Sequence, residues 1–500
     1  MKIKSTFVKP FAHLVARQIT GWSQTAVQDQ EQIMKYLVKR AQNTAFGKDH
    51  GFSKIGSYEN YRQQIPIKDY EGLKSYFDRV KIGEADVLWP GLPRYFAKTS
   101  GTTSGAKYIP LTKESMPNHF GTARNALFNY YARSGKGNWL DGKMIFLSGS
   151  PELTETGGIK TGRLSGIVNH EIPAWLRTSQ LPSYATNCID SWEEKLENIV
   201  TETHTQDMRL ISGIPPWVQM YYEQLLDRTG KKHIKDIFPN YNIFVYGGVN
   251  FEPYRDVLEN LVGARINSLE TYPASEGFIA FQDDQNEKGL LLNTKSGIFF
   301  EFIPASEIFN ENPTRVSLAN VELGVNYAII LNTNAGLWGY NIGDTVEFVS
   351  KNPYRILVTG RIKHFISAFG EHVIGKEVES AILAATSNTD IRFTEFTVAP
   401  QITPPEGGLP YHEWLIEFEN PPADLTAFAQ RIDHFMCQQN IYYKDLIAGK
   451  VLQPLKVVIL PKDSFRNLMK TRGKLGGQNK PPRLSNDRTM ADALISQDRQ

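Results

Sequence analysis

At 500 residues the chain is longer than a single hydrophobic core usually grows, so two or more domains are expected. Its 41% hydrophobic and 11% aromatic content excludes a chain disordered throughout, and 55 Lys plus Arg against 53 Asp plus Glu leave no global charge to draw it to nucleic acid or an anionic membrane. Cys188 and Cys437 lie far apart and lack CxxC or His/Cys ligand spacing, which disfavours a disulfide framework or a structural zinc site and leaves two buried thiols as the expectation.

The amino terminus is basic and amphipathic through Lys2, Lys4, Lys9 and Arg17, but polar residues interrupt it before an apolar run of signal-peptide length accumulates. No stretch approaches the roughly 20 apolar residues of a spanning helix. A cytoplasmic enzyme without a membrane anchor is therefore expected. Ile33, Tyr36, Leu37 and Ala41 have helical spacing and predict a scaffold helix over 26–42. Helical patterns recur at 113–132, at 191–203 and after Pro215 and Pro216, where proline suits a first turn.

Short β-branched or aromatic runs at 144–148, 208–212, 242–246 and 266–270 alternate with these helices and predict an α/β core whose strands end in polar loops. From 297 to 347 longer strand-like runs, 298–303 and 325–332, predict a predominantly β subdomain. After Gly360 a smaller α/β unit begins: a helix at 375–385, strands at 395–399 and 413–419, a helix at 425–438 and a strand at 455–460. The expected architecture is α/β, with a large N-terminal α/β region carrying a β subdomain (1–360), a hinge (361–370) and a small C-terminal α/β domain (371–500). No internal repeat or long low-complexity segment interrupts it. The stretch from Lys470 is rich in Gly, Lys and Arg and predicts a mobile tail.

The sharpest motif is the run Thr99, Ser100, Gly101, Thr102, Thr103, Ser104, Gly105, Ala106 and Lys107. Glycines let backbone N–H groups converge, hydroxyls add donors and the lysine adds positive charge, which are the parts of a phosphate cradle. The same composition also makes a plain polar turn. Ala106 after Gly105, and Tyr108 after Lys107, break the Walker pattern and disfavour a P-loop kinase or ATPase. The run resembles the ATP loop of the adenylate-forming superfamily, which contains acyl-CoA synthetases, luciferases and the plant Gretchen Hagen acyl acid amido synthetases. Its continuation Tyr108, Ile109, Pro110, Leu111 and Thr112 is similar to the amido synthetases. Ser104, Gly105, Ala106 and Lys107 stand where the CoA ligases usually carry Gly-x-Pro-Lys, which points toward amide formation.

Tyr272, Pro273, Ala274, Ser275, Glu276 and Gly277 follow the strand run at 266–270. The ring can border a nucleotide or acyl pocket, Ser275 can bond a phosphate oxygen and Glu276 can hold a hard cation that bridges phosphates. A strand-end turn with a solvated glutamate is the bland alternative. The segment resembles the superfamily's Tyr-x-x-Ser/Thr-Glu motif, which implies Glu276 as magnesium ligand. Tyr246, Gly247, Gly248 and Val249 end a strand with two residues lacking side chains, where a flat adenine can approach the backbone, or where the chain simply turns. Their placement matches the family's adenine-contacting segment.

Gly343 and Asp344 place a carboxylate that can accept both ribose hydroxyls, or that makes an Asx turn. They resemble the family's Tyr-x-x-Gly-Asp element, which implies Asp344 as ribose ligand. Gly360, Arg361, Ile362 and Lys363 otherwise read as a solvated loop; they are similar to the superfamily's hinge, which implies Arg361 and Lys363 beside the ribose. Lys480 lies between Gly476-Gly477 and Pro481-Pro482, where a mobile lysine can neutralise charge between carboxylate and α-phosphate. The segment resembles the amido synthetases' catalytic-lysine segment.

Six elements in the family's order imply an ATP-dependent acyl acid amido synthetase. With ATP and Mg²⁺ it would adenylate a carboxylic acid, release pyrophosphate and transfer the acyl group to an amine such as an amino acid. Lys480 and Glu276 would be catalytic, and no nucleic-acid or membrane partner is expected. An acyl-CoA ligase of the same superfamily shares the first half-reaction, and a nucleotide-sensing scaffold would keep the fold alone. A nucleic-acid binder is suggested only by 462–488, whose eight basic residues against two acidic ones lack interleaved aromatics. The acid is not identified: Tyr130, Trp175 and Trp217 are aromatic pocket candidates of a kind more often found in cores.

Overall fold

The computed structural model describes residues 3–99, 106–172, 174–189, 191–248, 251–362, 365–366, 373–448, 451–473 and 481–497. The chain forms two compact units, 1–342 with 347–357, and 343–346 with 358–500.

The first unit is built on a twelve-stranded sheet. Lys143–Phe146, Met208–Ser212, Ile243–Gly247 and Ser268–Ala274 lie side by side in parallel. Alternate side chains of these strands point to opposite faces. Met144, Leu210, Ile243 and Leu269 form one layer with Ala12, Val15 and Ile19 of the Ile3–Ser23 helix and with Ala126 and Tyr130 of the Thr122–Ser134 helix. Ile145, Ile211 and Phe244 are also buried, so both faces are covered and the strands read as near-continuous apolar runs.

The strands expected of a separate β subdomain form at Ile298–Pro304 and Asn326–Thr333, but they continue the same sheet. The link is an antiparallel bend through Gly277–Phe281 and Leu290–Leu292 to Tyr354–Arg361. A four-stranded sheet stands apart, in the order Lys107–Leu111, Tyr95–Thr99, Ile159–Gly162, Thr154–Thr156.

Helices from the first hundred residues are tied to strands formed much later in the chain. Gln30, on the Ala26–Ala41 helix, donates to the Thr294 and Ile298 carbonyls (2.8 Å each) and accepts from Phe300 N–H (2.8 Å). The Tyr61 hydroxyl donates to Asn332 (2.6 Å), and the Trp338 indole donates to the Leu88 carbonyl (3.0 Å). Buried Glu301 takes a two-pronged contact from Arg315 (2.8 Å to each oxygen) and a further bond from the Asn332 amide (2.9 Å), so the buried carboxylate is paired.

In the second unit Arg392–Gln401 and Tyr411–Asn420 pair antiparallel, and Lys456–Leu460 adds parallel to the latter. Trp414 and Ile416 pack against the Gly375–Thr386 and Leu425–Gln439 helices, with Val378, Ile382, Phe428 and Ile432. Leu415, between them in sequence, faces Phe465, Leu468, Met490 and Leu494 on the other side. The period of two therefore builds a sheet covered on both faces.

Two expectations are corrected. Among the described residues the tail from Lys470 holds a Thr489–Gln497 helix and a Val398–Leu484 bridge, because Met490, Ala491 and Leu494 bury an apolar face. Cys188 and Cys437 are half-buried rather than buried; partial desolvation pushes the Cys437 thiol up to about 11.

Candidate active site

Ser212, Gly247 and Ala274 end three adjacent parallel strands, so the carboxyl ends of those strands share one edge of the sheet. In open α/β sheets that edge is where ligands are held. Both glycines there have backbone reasons. A Cβ on Gly247 would stand 2.4 Å from the Thr271 carbonyl oxygen, and Gly248 has φ +71°, where a side chain is strained. Val249 lies outside the described residues.

Ser268–Ala274 turns back into Gly277–Phe281, with Ala274 paired to Gly277, so Ser275 and Glu276 are the two residues of a tight turn. Tyr272 is buried beneath it, and Ser275 and Glu276 are half-buried. The turn is held by a residue that no sequence motif marks. Asn118, buried on a π-helical turn at Pro117–Gly121, accepts from Phe278 N–H (2.7 Å) and donates to the Phe278 carbonyl (3.2 Å) and to Ser296 (2.9 Å). Asn293 also donates to the Phe278 carbonyl (3.2 Å) and to Thr122 (2.9 Å). The amides thus satisfy backbone groups at a break in the strand register between Phe278 and Ala280.

Asn118→Ala leaves Phe278 N–H without this acceptor while the carbonyl keeps Asn293. The expected cost is about 1–3 kcal/mol in urea unfolding. Wild-type stability in that variant would mean that another acceptor replaces the amide.

Thr99 pairs with Lys107 across the antiparallel Tyr95–Thr99 and Lys107–Leu111 strands, so these two sequence candidates face each other. Ser100, Gly101, Thr102, Thr103 and Ser104 lie outside the described residues. The Lys107 ammonium is 6.0 Å from the centre of the Tyr70 ring. Tyr70 in turn accepts from Tyr108 N–H (3.1 Å) and stacks on Phe77 (4.6 Å between centres), whose ring meets Tyr340 edge-on at 6.5 Å. Lys68 and Tyr340 are backbone neighbours through Lys68 N–H to Gly339 (3.0 Å) and Asn341 N–H to Lys68 (2.9 Å).

Burial, then Glu276, Asp69 and Tyr70, pushes the Tyr340 phenol far above its ordinary range. Glu276 therefore stands close enough to act on it electrostatically. The Glu276 carboxylate also acts on the Tyr340 hydroxyl by hydrogen bonding, so the two groups are neighbours. Tyr70 and Tyr340 join Lys107 and Glu276 in one neighbourhood, and the sequence carried no signal for Tyr70.

Among the described residues no group of three or more His, Cys, Asp or Glu side chains could hold a metal ion. A single carboxylate at Glu276 fits a cation that completes its shell with phosphate oxygens and water, as Mg²⁺ does.

In the second unit Asp344 and Arg361 are brought together: Arg361 Nε donates to Asp344 Oδ1 at 2.6 Å, from a mostly exposed arginine to a largely covered carboxylate. Gly343, within the Tyr340–Lys351 strand, has φ +85°, and its carbonyl accepts from Ile362 N–H at 2.7 Å, just past the end of the Tyr354–Arg361 strand. Lys363 and Lys480 lie outside the described residues.

Of the remaining candidates, Tyr130 and Trp217 are buried, with Trp217 against Trp192 at 4.7 Å between centres. The Trp175 side chain lies outside the described ones. In the basic run at 462–488, Arg488 is paired with Glu413 (2.7 Å) and Asp492 (3.0 Å), and Arg483 with Glu379 (3.3 Å) and Glu395. Among the described residues no helix is long and apolar enough to cross a membrane.

The N-terminal domain model of the GH3 family matches residues 15–173 and 161–265, the central domain 291–361 and the C-terminal domain 376–489. The chain is 21% identical to the indole-3-acetic acid-amido synthetase GH3.3 of Arabidopsis thaliana, over 91% of this chain and 88% of that one. The structure of the AtGH3.15 acyl acid amido synthetase in complex with 2,4-DB superposes with TM-score 0.79 at 16% identity, covering 97% and 96% of the two chains. A 2-hydroxyisobutyryl-CoA ligase shares the fold at TM-score 0.50 and 12% identity, over 83% of this chain and 89% of that one. With matches running from residue 15 to residue 489, the chain belongs to the GH3 family, whose ligases use ATP, and it is an acyl acid amido synthetase, an adenylate-forming ligase.

Proposed function

We propose that this ligase adenylates a carboxylic acid with ATP and Mg²⁺ and transfers the acyl group to the amine of an amino acid. The observation that carries this reading is the convergence of Lys107 and Glu276 on the Tyr70 and Tyr340 corner. Lys107 and the loop from Thr99 to Ser104 hold the phosphates. Gly247, Gly248, Val249, Tyr272 and Ala274 border the adenine, and Ser275 bonds a phosphate oxygen. Glu276 would hold Mg²⁺, which when bound would supply positive charge for the departing pyrophosphate. Asp344 takes the ribose hydroxyls with Arg361 and Lys363 beside it. Lys480 steadies the attacking carboxylate against the α-phosphate, residues 361–370 serve as hinge, and 371–500 form the mobile small domain.

The relative named above is an indole-3-acetic acid-amido synthetase, which makes that acid the first to offer. The test is pyrophosphate release across a panel of carboxylic acids, with and without an amino-acid mixture, and mass analysis of the product. An amide is expected. A thioester formed with CoA, and no amide, would move the chain to the CoA-ligase reading.

Asp344→Ala is expected to weaken ATP binding, with a smaller effect on a nucleotide that lacks ribose hydroxyls. Equal losses for ATP and dideoxy-ATP, measured by calorimetry, would remove Asp344 from the ribose.

A further inference from the structure

Three large apolar side chains of the Ile3–Ser23 helix face solvent: Phe7 is 82% exposed, Leu14 51% and Phe11 42%, the last with one edge of its ring on Phe128 (5.2 Å between centres). Their spacing of four and three places them on one helical face. They do not belong to a face that could turn inward. Ala12, Val15 and Ile19 already bury the adjoining side, about 100° round the helix. The helix is also held in rotation: Ser5 donates from N–H and hydroxyl to Asp141 (3.0 and 2.5 Å), and the Tyr131 hydroxyl donates to the Ser5 carbonyl (3.1 Å).

Basic side chains border the stripe. The helix carries Lys4, Lys9 and Arg17 and no acidic residue of its own; Arg17 follows Leu14 at helical spacing, while Lys9 lies on the far side. Arg124, from the neighbouring helix, lies 5.9 Å over the Phe11 ring. A second copy of the chain would bring the same cations to a two-fold contact, which sets like charges together.

We propose that this face docks on an anionic lipid surface. Aromatic and aliphatic side chains enter the headgroup boundary while the flanking Lys and Arg meet lipid phosphates, and a basic cluster joined to an apolar stripe supplies the two signals that peripheral binding needs.

The experiment is cosedimentation of the full chain with vesicles of phosphatidylcholine alone and with about one third phosphatidylglycerol. Binding is expected only to the anionic vesicles, and it should weaken as salt rises. The variant Phe7→Ser/Phe11→Ser/Leu14→Ser, and separately Arg17→Glu/Arg124→Glu, should each bind at least about tenfold less. Both should keep wild-type pyrophosphate release, since none of these residues is in the proposed site; the triple-serine variant should unfold slightly more easily, because Phe11 loses its edge contact with Phe128. Absence of vesicle binding by the wild type, or equal binding by the triple-serine variant, would overturn the proposal. So would a dimer seen by light scattering that the triple-serine variant abolishes, because the face would then belong to a second copy.

Discussion

Glu276→Gln is expected to lower the rate of acid-dependent pyrophosphate exchange by roughly a hundredfold or more, since charge stabilisation by a bound cation amounts to several kcal/mol and each 1.4 kcal/mol is tenfold. The substitution keeps the shape of the side chain and removes only its charge. The turn that carries it is fixed by other residues, because Asn118 and Asn293 hold Phe278 two positions on. Unfolding of the variant should therefore match the wild type while turnover falls. Raising Mg²⁺ should recover part of the rate, because the remaining ligands are phosphate oxygens and water. Exchange at wild-type rate under limiting Mg²⁺ would show that the cation is held elsewhere.

Lys480→Ala is expected to separate the two half-reactions. The attacking carboxylate and the α-phosphate are both anionic, and losing one preorganised partner for developing charge costs about 2.7–4 kcal/mol, or roughly 10² to 10³ in rate. The acyl transfer starts from a mixed anhydride already formed and has no such need. Next to Lys480 the chain is held firmly: the Pro482 carbonyl accepts from Thr397 (2.7 Å), the Arg483 carbonyl accepts from Val398 N–H (2.9 Å), and the Arg483 guanidinium lies 4.8 Å over Phe396. Alanine at 480 should leave that anchorage in place. The variant should make acyl-AMP more slowly by the stated factor and consume synthetic acyl-AMP with an amino acid at near wild-type speed. Equal loss in both steps, measured by stopped-flow, would show that Lys480 serves folding or closure in general.

Strands such as Met208–Ser212 and helices such as Gly375–Thr386 were legible because their signal is local: β-branched runs bounded by turns, and apolar residues at helical spacing. The merger of the expected β subdomain into one sheet was not. It depends on Leu290 meeting Ile356, a pairing that no local period encodes. Composition misled at the tail, where Gly, Lys and Arg read as loose chain while Arg483 finds Glu379 and Glu395 about a hundred residues away. The Ile3–Ser23 helix carries Pro10 in its interior, which masks its pattern. At the site, the motifs nominated Lys107 and Glu276, but Asn118 has meaning only through Phe278, 160 positions later, and Tyr70 only through the ring stack that joins it to Tyr340.

The ties between the first helices and the late strands bear on how the chain is born. Gln30 waits for partners 264 to 270 positions downstream, and Tyr61 for one 271 downstream. At a ribosomal pace of about 5–20 residues per second, these amides and rings spend on the order of ten seconds or more without their native neighbours. Contacts of such long separation also form slowly, since loop closure must precede them. Chaperone demand during synthesis should therefore concentrate before the strands at 290–340 emerge, and nascent chains halted short of residue 290 should be the ones most readily captured by holdases or cut by protease.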